Sequence, residues 1–316
     1  MRFQITTKQE NGWHSLQMTD TSNGTTVEVI PDAGAILNAF LVKKGDQTIN
    51  LVEGYQNMQD WNENKTRGFR SAKMSPYVCR VAESSYRWEG KVHHLNKFML
   101  NGIAIHGVLY DAAYQVMETM ASNDHAEVEL RYVYRADDPG YPFAYDCLIK
   151  YKLEPGNMLT LSTLIHNHDN VSIPMSDGWH PYFTFGGKVD GLTLKVATDK
   201  VLEYDEAVIP TGNTHPVSGF REGFTISDRS YDNGYLLDTD AEQPKAVLGD
   251  PSLGMSIEFH PDAHYPYLQI YTPPHRNSIA IENLSSAPDA FNNGMGLVKL
   301  KPDESRIFAV KYKVNL

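Results

Sequence analysis

Apolar and polar residues alternate with a period of two along much of the chain, the mark of strands buried on one face. In AEVELRYVY, residues 126–134, Val128, Leu130, Tyr132 and Tyr134 fall on one side and mostly charged residues on the other. The same alternation runs through YDCLIKYKL (145–153), NMLTLSTLI (157–165), GLTLKVA (191–197) and IFAVKYKV (307–314), with Gly, Pro, Asn and Asp clusters between them as turns. A helical period is hard to find. NMQDWNENKTR, residues 57–67, is mostly polar with a weak 3.6-residue repeat and suits a short surface helix or a loop equally. Many strands and few helices predict an all-β fold, a large antiparallel sandwich or barrel whose long loops carry the chemistry. No fixed-period repeat, low-complexity linker or composition shift interrupts the strand spacing, so one domain over residues 1–316 is the expected organisation.

Composition narrows the partners. The 28 Lys and Arg residues are outnumbered by 39 Asp and Glu, giving a formal charge of -11, and no basic run offsets it. Nucleic acid and anionic membrane surfaces are thereby set aside, and small neutral molecules stay open. Cys79 and Cys147 are too few for a disulfide framework and too far apart for a CxxC pair, which favours a reducing compartment. MRFQITTKQENGWHSL lacks an apolar signal core, and no run of about 18 apolar residues occurs, so the expected location is the cytoplasm.

Twelve histidines raise the question of a metal. HNH at 166–168 runs into Asp169-Asn170, which reads as a turn, and Pro261 in HPDAH (260–264) opposes the helical i, i+4 pair that zinc sites of that spacing use. Both read as polar loop histidines. Phosphate-cradling loops of the GxxxxGK and GxGxxG types do not occur.

A wider set carries more information: Arg80 in MSPYVCRVA, His106 in IAIHGVLYD, His180 in DGWHPYF, Asp232 in YDNGYLLD and Glu282 in IAIENLSSAPDAFN. Each closes an apolar or aromatic stretch, where a strand would deliver it to a rim. Singly, each has an ordinary explanation: a surface ion pair for Arg80, a turn for His106, a core histidine stacked on Tyr182 and Phe183 for His180, an Asx turn for Asp232, a strand-end charge for Glu282.

Taken in order, these segments resemble the aldose 1-epimerase (galactose mutarotase) family. The resemblance rests on Pro76 to Arg80, YRWEGKVHHLN (86–96), IHG (105–107), DDPGYPFAYDCLIKYKL (137–153), HPYF (180–183) and the closing ENLSSAPDAFNNGMGLVKLKPDESRIFAVKYKV. It spans nearly the whole chain. It implies an antiparallel β-sandwich of the galactose-mutarotase type and a reaction that interconverts α and β anomers of an aldose without metal or redox cofactor. By that pattern Glu282 is the general base at O1 and His180 the general acid at the ring oxygen. His106 assists there, and Arg80 and Asp232 bind sugar hydroxyls. The partner implied is a small-molecule sugar.

Three positions depart from the family's common residues: Cys79 and Trp179 each stand where Asn is frequent, and Asn283 where Pro is. They leave the acid and base in place and bear on the choice of sugar. Alternative readings are a hexose-phosphate 1-epimerase, for which Lys73, Arg70, Arg221 and Lys97 are the candidate cations, and a sugar-binding sandwich without catalysis. A glycosidase is a weaker alternative, since the pattern puts only one carboxylate at the anomeric centre.

Overall fold

The computed structural model describes residues 1–10 and 12–316. Two large antiparallel sheets dominate it. One has nine strands in the order Gln115–Ala121, Ala126–Tyr134, Tyr145–Glu154, Met158–Asn167, Ser305–Asn315, Met255–Pro261, Ala246–Asp250, Thr193–Val196 and Phe224–Thr225. The alternating stretches found in the sequence fall on these strands within a few residues. Val128, Leu130 and Tyr134 are buried as their spacing requires, with Tyr132 packed partly against the same core.

The other large sheet runs Pro210–Pro216, Lys200–Tyr204, Asp232–Leu236, Tyr267–Tyr271, Ile279–Leu284, Gly178–His180 and Ala72–Met74, with Tyr182–Phe183 also pairing to Ile279–Leu284. Its inner face supplies Tyr235, Leu268, Ile270, Ile279 and Ile281 to a core shared with Leu248, Phe259 and Tyr312 of the nine-stranded sheet. Phe183 is wedged between the layers, 4.9 Å from the ring of Phe259 and 5.3 Å from that of Tyr312. The fold is a β-sandwich. A five-stranded antiparallel meander over Phe3–Asn50 adds Val27, Val29 and Phe40 to the same core.

The ambiguous segment at 57–67 is a helix, Met58–Gly68. Asn57 stays extended and accepts the Asp60 N–H at 2.9 Å, while Lys65 and Arg67 stand in the last turn, where they complement the helix dipole. Its apolar period is weak because only Trp61 is buried, against Trp13, Ile30 and Tyr55. Among the described residues no helix is long and apolar enough to cross a membrane.

Candidate active site

Strand periodicity assembles the site. On the Ile279–Leu284 strand the isoleucines at 279 and 281 enter the core, so Ala280 and Glu282 face the opposite way. Across the ladder Gln269 stands opposite Glu282, Tyr271 opposite Ala280, Asp232 opposite Tyr271, and Tyr182 opposite Ala280. One outer sheet face therefore presents Glu282, Gln269, Tyr271, Asp232 and Tyr182 together. His180 ends the neighbouring strand, and with these residues it lines a cavity of about 180 Å³. The loop after the helix, at Gly68 and Phe69, closes one side, and Arg80 and His106 close another.

All five residues singled out from the sequence line this cavity. Four lie at strand ends, as expected. Glu282 does not: it sits mid-strand and is almost wholly buried, because the cavity floor is the sheet itself rather than its rim. The aromatic residues around His180 also divide. Tyr182 stacks on the imidazole at 5.0 Å and 20° and faces the cavity, whereas Phe183 goes to the core and Trp179 turns inward to donate to Thr163 Oγ1 at 3.3 Å. Alternation through residues 178–183 explains the division.

His106 owes its place to the backbone. It follows the Ile103–Ile105 strand with φ 62°, in the left-handed region, and its N–H donates to the Cys79 carbonyl at 2.9 Å. Gly107 is required next to it, since a Cβ there would lie 2.2 Å from the Ser75 carbonyl oxygen at φ +76°. The IHG motif is thus a turn that lets two backbones touch and presents an imidazole. The PDAFN motif acts similarly on the arginine: Asp289 N–H donates to the Arg80 carbonyl at 2.7 Å, and its carboxylate accepts the Ala82 N–H at 2.9 Å.

The central contact joins Glu282 Oε1 and His180 Nε2 at 3.3 Å. The other carboxyl oxygen, Glu282 Oε2, and His180 Nδ1 are buried with no hydrogen-bond partner. Leaving such atoms unpaired costs about 1–3 kcal/mol each, a cost proteins tolerate mainly where a site has work for the atom. Burial raises the Glu282 carboxyl well above its ordinary pKa, helped by the Asp232 charge and opposed by Arg80. The same burial lowers His180 to about 4. Both shifts favour the neutral forms, carboxyl on Glu282 and imidazole on His180.

His106, its ring perpendicular to that of His180 at 4.9 Å, is lowered well below its ordinary pKa by burial, then by His180 and Arg80. Its Nδ1 lies 3.0 Å from Met74 Sδ. At the mouth, Asp232 accepts from Gln269 Nε2 at 2.8 Å, and Tyr204 Oη donates to Gln269 Oε1 at 3.0 Å. Gly234 makes room for that tyrosine, since a Cβ would meet its hydroxyl at 2.4 Å. The Asp232 carboxyl is raised by desolvation, with Arg80 and Gln269 opposing. Among the described residues Arg80 forms no ion pair or side-chain hydrogen bond, which leaves its guanidinium donors for a ligand.

Gln269, Tyr271 and Tyr204 escaped the sequence reading. The signal existed in YLQIY, 267–271, where Leu268 and Ile270 are core and the alternate positions therefore share the Glu282 face. Of the three departures, only Cys79 lines the cavity, its thiol raised well above the ordinary value by burial. The four cations weighed for a phosphate lie outside it: Lys73 is wholly buried against Asp177 at 2.5 Å, Lys97 pairs with Asp111, Arg221 with Asp199 and Asp238, and Arg70 with Glu53. Among the described residues no group of three His, Cys, Asp or Glu side chains is placed to hold a metal ion. His166 and His168 instead pair with Asp303 and Asp146.

A carboxyl and an imidazole set side by side in one cavity can take a proton from one oxygen of a ligand and return it to another, the chemistry of an acid–base isomerase. Residues 15–313 match the family described as aldose 1-epimerase, and the chain belongs to that family of isomerases. It is 27% identical over 235 residues to the uncharacterized protein YihR of Escherichia coli (strain K12), covering 72% of this chain and 73% of the relative. It is 23% identical over 263 residues to a maltose epimerase of Levilactobacillus brevis, covering 76% and 74%. A galactose mutarotase-like protein from Clostridium acetobutylicum superposes with a TM-score of 0.88 at 18% identity, covering 99% of both chains.

Proposed function

We propose that the chain interconverts the α and β anomers of a free aldose by general acid–base ring opening and closure. Glu282 as carboxylate takes the proton from the C1 hydroxyl while His180 as imidazolium gives one to the ring oxygen, and the C1–O5 bond breaks to the open aldehyde. Rotation about C1–C2 and the reverse transfers close the ring on the other face. One proton suffices: opening converts carboxylate plus imidazolium to carboxyl plus imidazole, which is the form that burial favours, and closing restores the first. Sugar hydroxyls and the Arg80 charge stabilise the carboxylate form when substrate is bound.

His106 assists at the ring oxygen, Arg80 and Asp232 bind hydroxyls, and the Tyr182 ring offers apolar surface to a C–H face of the sugar. The observation that supports these roles best is the buried 3.3 Å contact of Glu282 with His180, each keeping one unpartnered polar atom. Polarimetry on freshly dissolved α-glucose, α-galactose, xylose, arabinose and glucose 6-phosphate tests the reading. Acceleration of at least one neutral sugar is expected, with KM raised by Arg80→Ala and Asp232→Asn. Binding without acceleration of any sugar would replace this reading with a glycan-binding module.

A further inference from the structure

Met74 is wholly buried, lies outside the cavity walls and has no place in the roles above, yet its sulfur stands 3.0 Å from His106 Nδ1. We propose that Met74 is a positioning residue: its thioether accepts from His106 Nδ1 and fixes the imidazole as the Nδ1–H tautomer, which leaves a lone pair on Nε2 to accept the hydrogen that arrives on the ring oxygen. The inference rests on the epimerase reading above and gives His106 its direction of hydrogen bonding within it.

The contact can run only one way. A thioether sulfur has lone pairs and no hydrogen, so a bond between these atoms needs its hydrogen on the nitrogen. Burial, with His180 and Arg80 adding to it, drives His106 well below its ordinary pKa, so the ring is neutral and carries one N–H. With that hydrogen on Nδ1, Nε2 is an acceptor. Among the described residues Nε2 has no hydrogen-bond partner, and unlike His180 Nδ1 it is not sealed off from the cavity that both rings line.

The ring is held in this orientation from several sides. Phe69 meets it edge-on at 4.7 Å and 61°, and Phe69 is itself tied down by its N–H, which donates to the Lys65 carbonyl at 3.1 Å. The His180 ring stands perpendicular on another side, at 4.9 Å. Met74 ends the Ala72–Met74 strand, pairs with Gly178 and packs against Val78, Cys79 and Leu284, so the sheet that delivers His180 also delivers the sulfur.

Two neighbouring imidazoles thereby take different work. His180 supplies the proton, whereas the one hydrogen of His106 is spent on sulfur. In the closed sugar the ring oxygen has no hydrogen to offer Nε2. As the C1–O5 bond breaks and His180 protonates O5, the new O5–H donates to Nε2. A bond made only during opening lowers the barrier without tightening the ground state.

Long-range proton–nitrogen NMR on protein with nitrogen-15 histidine reads the tautomer without substrate, the His106 signals being those lost in His106→Asn. In the wild type Nδ1 should be the protonated, pyrrole-type nitrogen and Nε2 the pyridine-type one. Met74→Leu, close in volume, should move the hydrogen to Nε2 and lower kcat about tenfold, the size of one lost hydrogen bond, with KM unchanged or lower because Nε2–H now binds O5 of the closed ring. Val78→Ala, which loosens the same packing and spares the sulfur, should leave the tautomer as it is. A hydrogen on Nε2 in the wild type, a tautomer unmoved in Met74→Leu, or one moved equally by Val78→Ala would overturn the assignment to Met74. A moved tautomer with kcat within about twofold of wild type would overturn the role at O5 alone. Failure of the wild type to turn over glucose, galactose, xylose or arabinose would remove that role together with the epimerase reading, and the spectra would still decide the tautomer.

Discussion

Lys73→Met should destabilise the protein severely although the residue touches no solvent and does not line the cavity of Glu282 and His180. Lys73 Nζ lies 2.5 Å from Asp177 Oδ2, 3.4 Å from the Gly178 carbonyl and 4.7 Å from the centre of the Trp179 ring, and both members of the ion pair are fully buried. Asp177 also accepts from Tyr265 Oη at 2.6 Å. Even so paired, its carboxyl is raised above the ordinary range, because desolvation outweighs the help from Lys73. Methionine keeps the volume and removes the charge, leaving a buried carboxylate whose loss of partner costs about 3–5 kcal/mol. With an unfolding entropy of about 2 cal/mol/K per residue over 316 residues, that is a fall in Tm of roughly 5–8 °C.

The deficit should grow with pH. An orphaned Asp177 has its folded pKa raised further above the unfolded value near 3.9, so stability is retained below that value and lost as pH rises through the folded one. Asp177→Asn added to Lys73→Met should recover about 2 kcal/mol or more, since the amide oxygen still accepts from Tyr265. Denaturant unfolding at pH 5 and pH 8 reads all of this. A single-variant cost under about 1 kcal/mol, or a double variant worse than the single, would refute the reasoning. The outcome matters for the site, because Trp179 pairs with Lys73 in the strand that ends at His180.

Other predictions concern the site directly. The pH profile of kcat/KM should lose activity on the acid side only as the pair gains a second proton, with a midpoint near the lowered His180 value of about 4; a midpoint near 6.5 would contradict the burial argument. Glu282→Gln should raise Tm relative to wild type increasingly as pH climbs above about 4.3, because a raised folded pKa makes the wild type lose stability as pH rises through it. Constant Tm differences from pH 4 to pH 8 would count against it. Gly107→Ala should cost about 2 kcal/mol or more and displace His106, since its Cβ overlaps the Ser75 carbonyl; a thermal scan within about 0.5 kcal/mol of wild type would show that the close approach is absent.

The strands were legible because each buries one face, and a period of two needs only local sequence to be seen. The helix at 58–68 was half legible: its cap Asn57 and its basic last turn are local signals, but one buried tryptophan makes no stripe. The site was legible only as ordered motifs. Nothing local to Glu282 says that it is buried mid-strand, because that follows from which strands neighbour it in the sheet. Lys73 read as a candidate phosphate ligand for the same reason, as its partner Asp177 is 104 residues away.

The central claim is that Glu282 and His180 move the protons of ring opening. Exchange NMR on an equilibrated sugar, following magnetisation transfer between the α and β H1 signals, measures that step with no net reaction. Wild-type protein should raise the exchange rate well above the spontaneous one, and Glu282→Gln, isosteric but unable to serve as the base, should lose about 10²-fold or more while keeping the fold. A glutamine variant that exchanges anomers at near the wild-type rate would show that the base lies elsewhere.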